Sequence, residues 1–158
     1  MLLDEELRSQ VGMYLELMLA FNNIDHELIW KYIIVSASQL EYRSIVVLLI
    51  SDEEDPNKFW EYEERTTLNQ AIDKLKKKKI LSEEIWQAIK TIGRLRNSIL
   101  HRKALTGITE YVEYKERRLF YDSEAVKELF EDVQSIMGSI DEWMLQHSSS
   151  SPGTEGVV

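Results

Sequence analysis

The sequence predicts an all-α fold, a bundle of about five helices with a short β-hairpin or extended loop before the last one. Three observations carry this. Apolar residues recur at helical spacing along most of the 158-residue chain. Six Gly and two Pro leave little punctuation for the many tight turns of an all-β chain. A hydrophobic share of 44% against 30% charged residues fills one core and is hard to divide between two. A single domain over residues 1–147 is expected, followed by a disordered Ser/Gly-rich tail, 148–158, with nothing to pack.

Leu7, Val11, Leu15, Met18 and Phe21 place an amphipathic helix over roughly residues 3–21. Asp25 fits the N-cap of a second helix that reaches about Ser51. Ile29, Ile33, Ile34, Leu40, Ile45, Leu48 and Leu49 make it apolar almost all round, as a buried central helix requires. Its β-branched stretches resemble a strand, but its length and lack of turn residues decide for helix. Residues 51–64, SDEEDPNKFWEYEE, read as an acidic loop ending in a short aromatic turn. Leu68, Ile72 and Leu75 mark a short helix that closes in the lysine run 74–79.

Ser82 caps the next helix, with Glu83 and Glu84 against its positive end, and this helix runs to about His101 or Lys103. The period breaks over 104–121, where ITEYVEY and RRLFY flank a polar Lys-Glu pair. Asp122 or Ser123 caps the last helix, striped by Val126, Leu129, Val133, Ile136, Ile140 and Trp143.

Composition removes several chemistries. The absence of cysteine excludes a disulfide scaffold, a thiol nucleophile and any Cys-ligated zinc or iron–sulfur site. His26, His101 and His147 form no cluster at metal-ligand spacing, so no metal or cofactor is expected. The acidic N-terminus, MLLDEELRSQ, lacks the pattern of a signal peptide. The longest wholly apolar run, Ile45 to Ile50, is too short to span a bilayer. A cytoplasmic protein with no membrane partner is the expectation.

A net charge of −9 argues against nucleic acid until its distribution is examined. Lys74 to Arg118 holds 13 basic and five acidic residues, a net of +8, and the rest of the chain carries −17. That segment can present an anion-binding surface on an acidic body. Alternatively, Lys74, Lys76, Lys77, Lys78 and Lys79 are the solvated end of a helix whose dipole they complement.

Within the helix from Glu83, Ile85, Ala88, Ile89, Ile92, Leu95 and Ile99 fall on one side as the core stripe. Arg96 lies in the middle of it. Leaving a buried charge without its partner costs roughly 3–5 kcal/mol, so Arg96 must find a carboxylate such as Glu41, reach the domain edge, or face an anionic ligand. Asn97 and His101 are i, i+4 neighbours, and Arg94 is i+7 from His101. These three share a polar stripe that places His101 about 140° round the helix from Arg96.

Arg96-Asn97-Ser98-Ile99-Leu100-His101 resembles the R-x(4–6)-H signature of the HEPN superfamily (higher eukaryotes and prokaryotes nucleotide-binding), in which a polar residue, often Asn, follows the Arg. The resemblance covers residues 1–147, with 96–101 as its diagnostic part. It implies a HEPN-like helical bundle and metal-independent RNA cleavage, often by toxins or defence proteins, with Arg and His near a homodimer interface. Arg96 would hold the scissile phosphate and stabilise the transition-state charge. His101, of a residue type that titrates near neutrality, would move the proton of the 2′-OH or the leaving oxygen. Asn97 would orient the phosphate or the imidazole. Arg94, Arg102, Lys103, Lys115, Arg117 and Arg118 would steer the RNA backbone, and Tyr111 or Tyr114 would stack on an unpaired base.

One HEPN subgroup, paired with a nucleotidyltransferase antitoxin, carries Tyr two residues after the His, where this chain has Lys103. The partners implied are RNA, a second copy of the chain, and an antitoxin or defence-complex protein. Two other readings stand beside the ribonuclease: a catalytically inactive HEPN-like module for RNA binding or assembly, and a helical regulator without RNA contact. A purely structural role makes Arg96 an ion-pair partner of Glu41 and His101 a residue suited to the helix C-terminus.

Overall fold

The helix that the sequence marks as apolar all round is the centre of the molecule. The computed structural model describes residues 2–105 and 112–148, with side chains over 5–101 and 112–148. In chain order the elements are α1 (Leu2–Ala20), α2 (His26–Ser51), a 3-10 turn (Pro56–Lys58), α3 (Phe59–Arg65), α4 (Leu68–Lys77), α5 (Glu83–Leu105), β1 (Glu113–Tyr114), β2 (Arg117–Arg118) and α6 (Ser123–Ser148). The fold class is all-α: the described residues form six helices and one small antiparallel ribbon.

α1, α4, α5 and α6 pack round α2, and 13 of its 26 residues are buried. Leu40 and Leu48 are wholly enclosed, each stabilising the fold by roughly 1.5–3 kcal/mol. This all-round burial overrides the β-propensity of Ile33-Ile34-Val35 and Ile45-Val46-Val47. By length and composition alone α2 could also cross a membrane, yet 61% of its most apolar window is buried inside the fold. Asp25 caps it, accepting from the Leu28 N–H at 3.2 Å.

Of the loop expected over residues 51–64, only 52–55 is a turn; from Pro56 on the chain is helical. Asp55 accepts from the Asn57 N–H at 2.9 Å, and Pro56 supplies the fixed φ that suits a first turn. α3 follows directly, with Phe59 and Tyr62 packed against the core. The described residues therefore form six helices where periodicity indicates about five. α6 runs to Ser148, the first residue of the expected tail, and 149–158 lie outside the described residues.

Three helices end in one way. Asn22, Glu53 and Lys79 take φ of 51°, 54° and 54° just past α1, α2 and α4. In each case that residue's N–H bonds three residues back and the next N–H five back, as Glu53 to Ile50 and Glu54 to Leu49. These are Schellman turns built without glycine. The hairpin follows suit. Lys115 and Glu116, both at positive φ, form a two-residue turn that sets Tyr114 opposite Arg117. The scarcity of Gly thus marks a chain that turns on other residues.

One charge lies deep in the bundle. Arg43 of α2, 5% exposed, donates to Asp141 of α6 at 2.8 Å, Glu5 of α1 at 2.6 Å and Gln39 at 2.8 Å. Burial alone would lower its pKa, but hydrogen bonds and charge from Asp141 and Glu5 reverse the sign and raise it. The result is a polar lock across three helices.

Candidate functional site

α5 is fixed at its N-terminal half before it presents anything. Ser82 accepts from the Ile85 N–H at 3.4 Å, and the buried Trp86 indole donates to the Ile80 carbonyl. Lys90 bonds Asp73 of α4 at 2.9 Å. Gly93 allows the close approach of α4, since a Cβ there would stand 3.2 Å from Leu68 Cδ2. The corner between α3 and α4 is set by a capping box, in which Thr67 and Gln70 bond each other's backbone N–H.

These constraints leave a groove of about 400 Å³ between that corner, α2 and the second half of α5. Arg94, Arg96 and Asn97 line it from α5, Glu41 from α2, and Arg65 and Asn69 from the corner. Arg96 Nη1 donates to Glu41 at 2.9 Å, and its Nε reaches Asn97 Oδ1 at 3.3 Å. With 19% of its side chain exposed, Arg96 is neither enclosed nor free. These bonds leave guanidinium N–H donors for a further acceptor on the groove side. Such an acceptor can be a phosphate.

Arg94, Arg96, Asn97 and Glu41, singled out from the sequence, thus come together. His101 does not join them. It is exposed on α5, five residues beyond Arg96, and is not part of the groove lining. Arg94 also borders a smaller cleft of about 280 Å³ beside Val112 and Tyr114. Arg117 and Arg118 are exposed on β2. Lys115 is held by Glu128 at 3.1 Å and Asp132 at 2.8 Å, and these carboxylates raise its pKa. The side chains of Arg102 and Lys103, and Tyr111 altogether, lie outside the described residues.

Tyr114 cannot serve as a stacking platform, which corrects the expectation for it. The residue is 4% exposed and its hydroxyl donates to Asp132 at 2.6 Å. Burial, then Asp132, pushes that hydroxyl well above the usual tyrosine range. Tyr114 and Lys115 pin the hairpin to α6.

A second cleft, between α2 and α3, has a volume of about 500 Å³ and is lined in part by residues that periodicity does not single out. Tyr42, Phe59 and Trp60 line it, with Trp60 70% exposed. The signal that could have found them is Asp55-Pro56 ahead of Phe-Trp-Glu-Tyr, a helix start placed before aromatic residues. Among the described residues, no group of three or more acidic or imidazole side chains is placed to hold a metal ion. No family model matches the chain, nor does any curated protein or solved structure.

Proposed function

We propose that this chain is a HEPN-like, metal-independent endoribonuclease of toxin or defence type, acting as a homodimer. The observation that carries it is Arg96, held half-buried by Glu41 and Asn97 at the wall of a groove that also takes Arg94. A guanidinium fixed in place, with donors still available, suits a scissile phosphate and the charge that builds on it in the transition state. His101 stands about 140° away round the helix, so one copy does not bring base and phosphate clamp together. A two-fold contact at the 94–103 end of α5 would set His101 of one copy beside the Arg96 groove of the other. Attack by the 2′-OH would then leave a 2′,3′-cyclic phosphate and a 5′-hydroxyl, with His101 moving the proton.

The separation of Arg96 from His101 also favours a second reading, an inactive RNA-binding or assembly module within a toxin–antitoxin or defence complex. Incubation with RNA in EDTA separates the two. Cleavage abolished by His101→Ala supports the ribonuclease. Salt-dependent binding without cleavage, equal in wild type and His101→Ala, supports the module. Equal degradation by both proteins defeats the ribonuclease reading, because the activity is then a contaminant.

A further inference from the structure

The cleft between α2 and α3 adjoins the Arg96 groove and has no part in the reading above. Its roughly 500 Å³ falls in the range of small-ligand sites, about 300–1,000 Å³. Tyr42 and Phe59 pack with ring centroids 4.8 Å apart, and Phe59 meets Trp60 edge-on at 5.3 Å. An exposed Trp by itself is ordinary surface. This one has a neighbourhood. Glu41, Glu63 and Thr66 line the aromatic cleft and the Arg96 groove alike, so a ligand can lie across both. Aromatic rings at one end and guanidinium groups at the other match the two parts of a nucleotide, a flat base and a phosphate.

The polar residues between them indicate which base. Glu41 is engaged with Arg96, which leaves Glu63, an exposed carboxylate bordering both clefts. An ionised carboxylate only accepts hydrogen bonds. Guanine offers adjacent donors on one edge, N1–H and the N2 amino group, and these match the two oxygens of a carboxylate. Uracil offers a single donor, N3–H, flanked by two carbonyl oxygens that repel a carboxylate, and is the poorest fit.

We propose that this cleft is a base subsite of the Arg96 groove: an unpaired guanine of single-stranded RNA stacks on Trp60, Glu63 accepts from its Watson–Crick edge, and Arg96 and Arg94 hold the adjoining phosphates. The assignment rests on the RNA reading of the groove and adds a substrate preference to it.

The test uses the full chain and dye-labelled 2′-O-methyl pentanucleotides, which 2′-OH attack cannot cut, with affinity read by fluorescence anisotropy. UUGUU is expected to bind roughly tenfold more tightly than UUUUU, with UUAUU and UUCUU between. Trp60→Ala weakens UUGUU by about 5- to 100-fold, while Trp60→Phe keeps most of the affinity. Glu63→Gln loses the preference for guanine, because an amide can turn either a donor or an acceptor toward the base. Trp60 is exposed, so its variants should fold, and circular dichroism confirms it.

Equal affinity for all four pentamers, no binding of any, or UUGUU affinity untouched by Trp60→Ala overturns the subsite. Cleavage assays in EDTA keep the two readings apart. Wild-type and Trp60→Ala proteins that cut RNA at the same rate, neither with guanine bias, remove the subsite and leave the ribonuclease. Guanine-selective binding without cleavage does the reverse.

Discussion

At Arg43, polar groups from three helices close round one guanidinium; at Arg96, one carboxylate and one amide do, and a groove takes the remaining side. Exposure separates them as well, 6% of the side chain for Arg43 and 19% for Arg96. Both arise from the buried side of a helix, where an uncompensated charge costs several kcal/mol. Arg43 is satisfied from within, so a ligand has nothing to gain there. Arg96 is satisfied enough to hold its position and keeps donors for something else. The contrast distinguishes an arginine that builds the fold from one that the fold presents.

The largest effect that can break this contrast is on activity. Arg96→Ala is expected to lower the rate of RNA cleavage about 10²–10³-fold, as for loss of one charge-stabilising donor. Its thermal stability should change by no more than about 1 kcal/mol, because the Glu41 pair is partly solvated. His101→Ala should lose comparable activity, and the double variant little more, since residues acting as a unit are not additive. Gel assays and melting curves on the same preparations check all three. If Arg96→Ala instead melts far below wild type, Arg96 is a second structural lock and the comparison collapses.

Arg43→Ala should show the opposite profile. It leaves Gln39 buried and two carboxylates facing each other across a cavity, a loss of about 3 kcal/mol. For a chain of this size that lowers the melting temperature by roughly 6–12 °C. Activity per folded molecule should stay near wild type, measured well below the melting point. A selective loss of cleavage with unchanged melting would place Arg43 in the site.

Only half of the difference between these arginines is legible in the sequence. Helical spacing placed Arg96 in an apolar stripe and named Glu41 as a partner, because burial of a charge restricts what can surround it. Which cavity Arg96 borders depends on the α3–α4 corner, and α3 was hidden by acidic residues and a proline that suggested a loop. Arg43 lies inside a stretch whose apolar majority masks it. Its partners Glu5 and Asp141 lie 38 and 98 residues away in sequence, a pairing that no local pattern contains. The hairpin was readable from its Lys-Glu pair, whereas the burial of Tyr114 was not, since it depends on Asp132 of another element.

A comparison of wild type with Tyr32→Phe at alkaline pH probes the α1–α2–α6 side of the molecule, away from the groove. Tyr32 of α2 is 1% exposed, and burial pushes its hydroxyl from 10.0 up to about 12. Below pH 10 both folded and unfolded chains keep this proton. As pH rises from 10 to 12 the unfolded chain releases it first, so stability falls, by on the order of 2 kcal/mol from this group. Denaturant titrations at several pH values should show that slope in wild type and a smaller one in Tyr32→Phe. Equal slopes in the two proteins would show that the Tyr32 hydroxyl is not shielded from solvent.

The smallest expected effect calibrates the others. Glu53 ends α2 at φ 54°, in a left-handed conformation that costs an L-residue about 1–2 kcal/mol and glycine almost nothing. Its N–H bonds to Ile50, a backbone contact that any residue type can keep. The side chain is exposed, so replacement disturbs no buried contact. Glu53→Gly should therefore stabilise the protein, by about 0.5–1 kcal/mol once the greater freedom of glycine in the unfolded chain is subtracted. The melting temperature should rise by roughly 1–4 °C, with RNA cleavage unchanged. In this stabilised background Arg43→Ala should lose the same increment as in wild type, since the C-terminal turns of α2 separate the two positions and distant changes add within about 0.5 kcal/mol. Arg96→Ala should lose the same factor in rate. A Glu53→Gly variant that rescued cleavage by Arg96→Ala would mean that the activity defect was unfolding all along, and the two arginines would then differ in degree and not in kind.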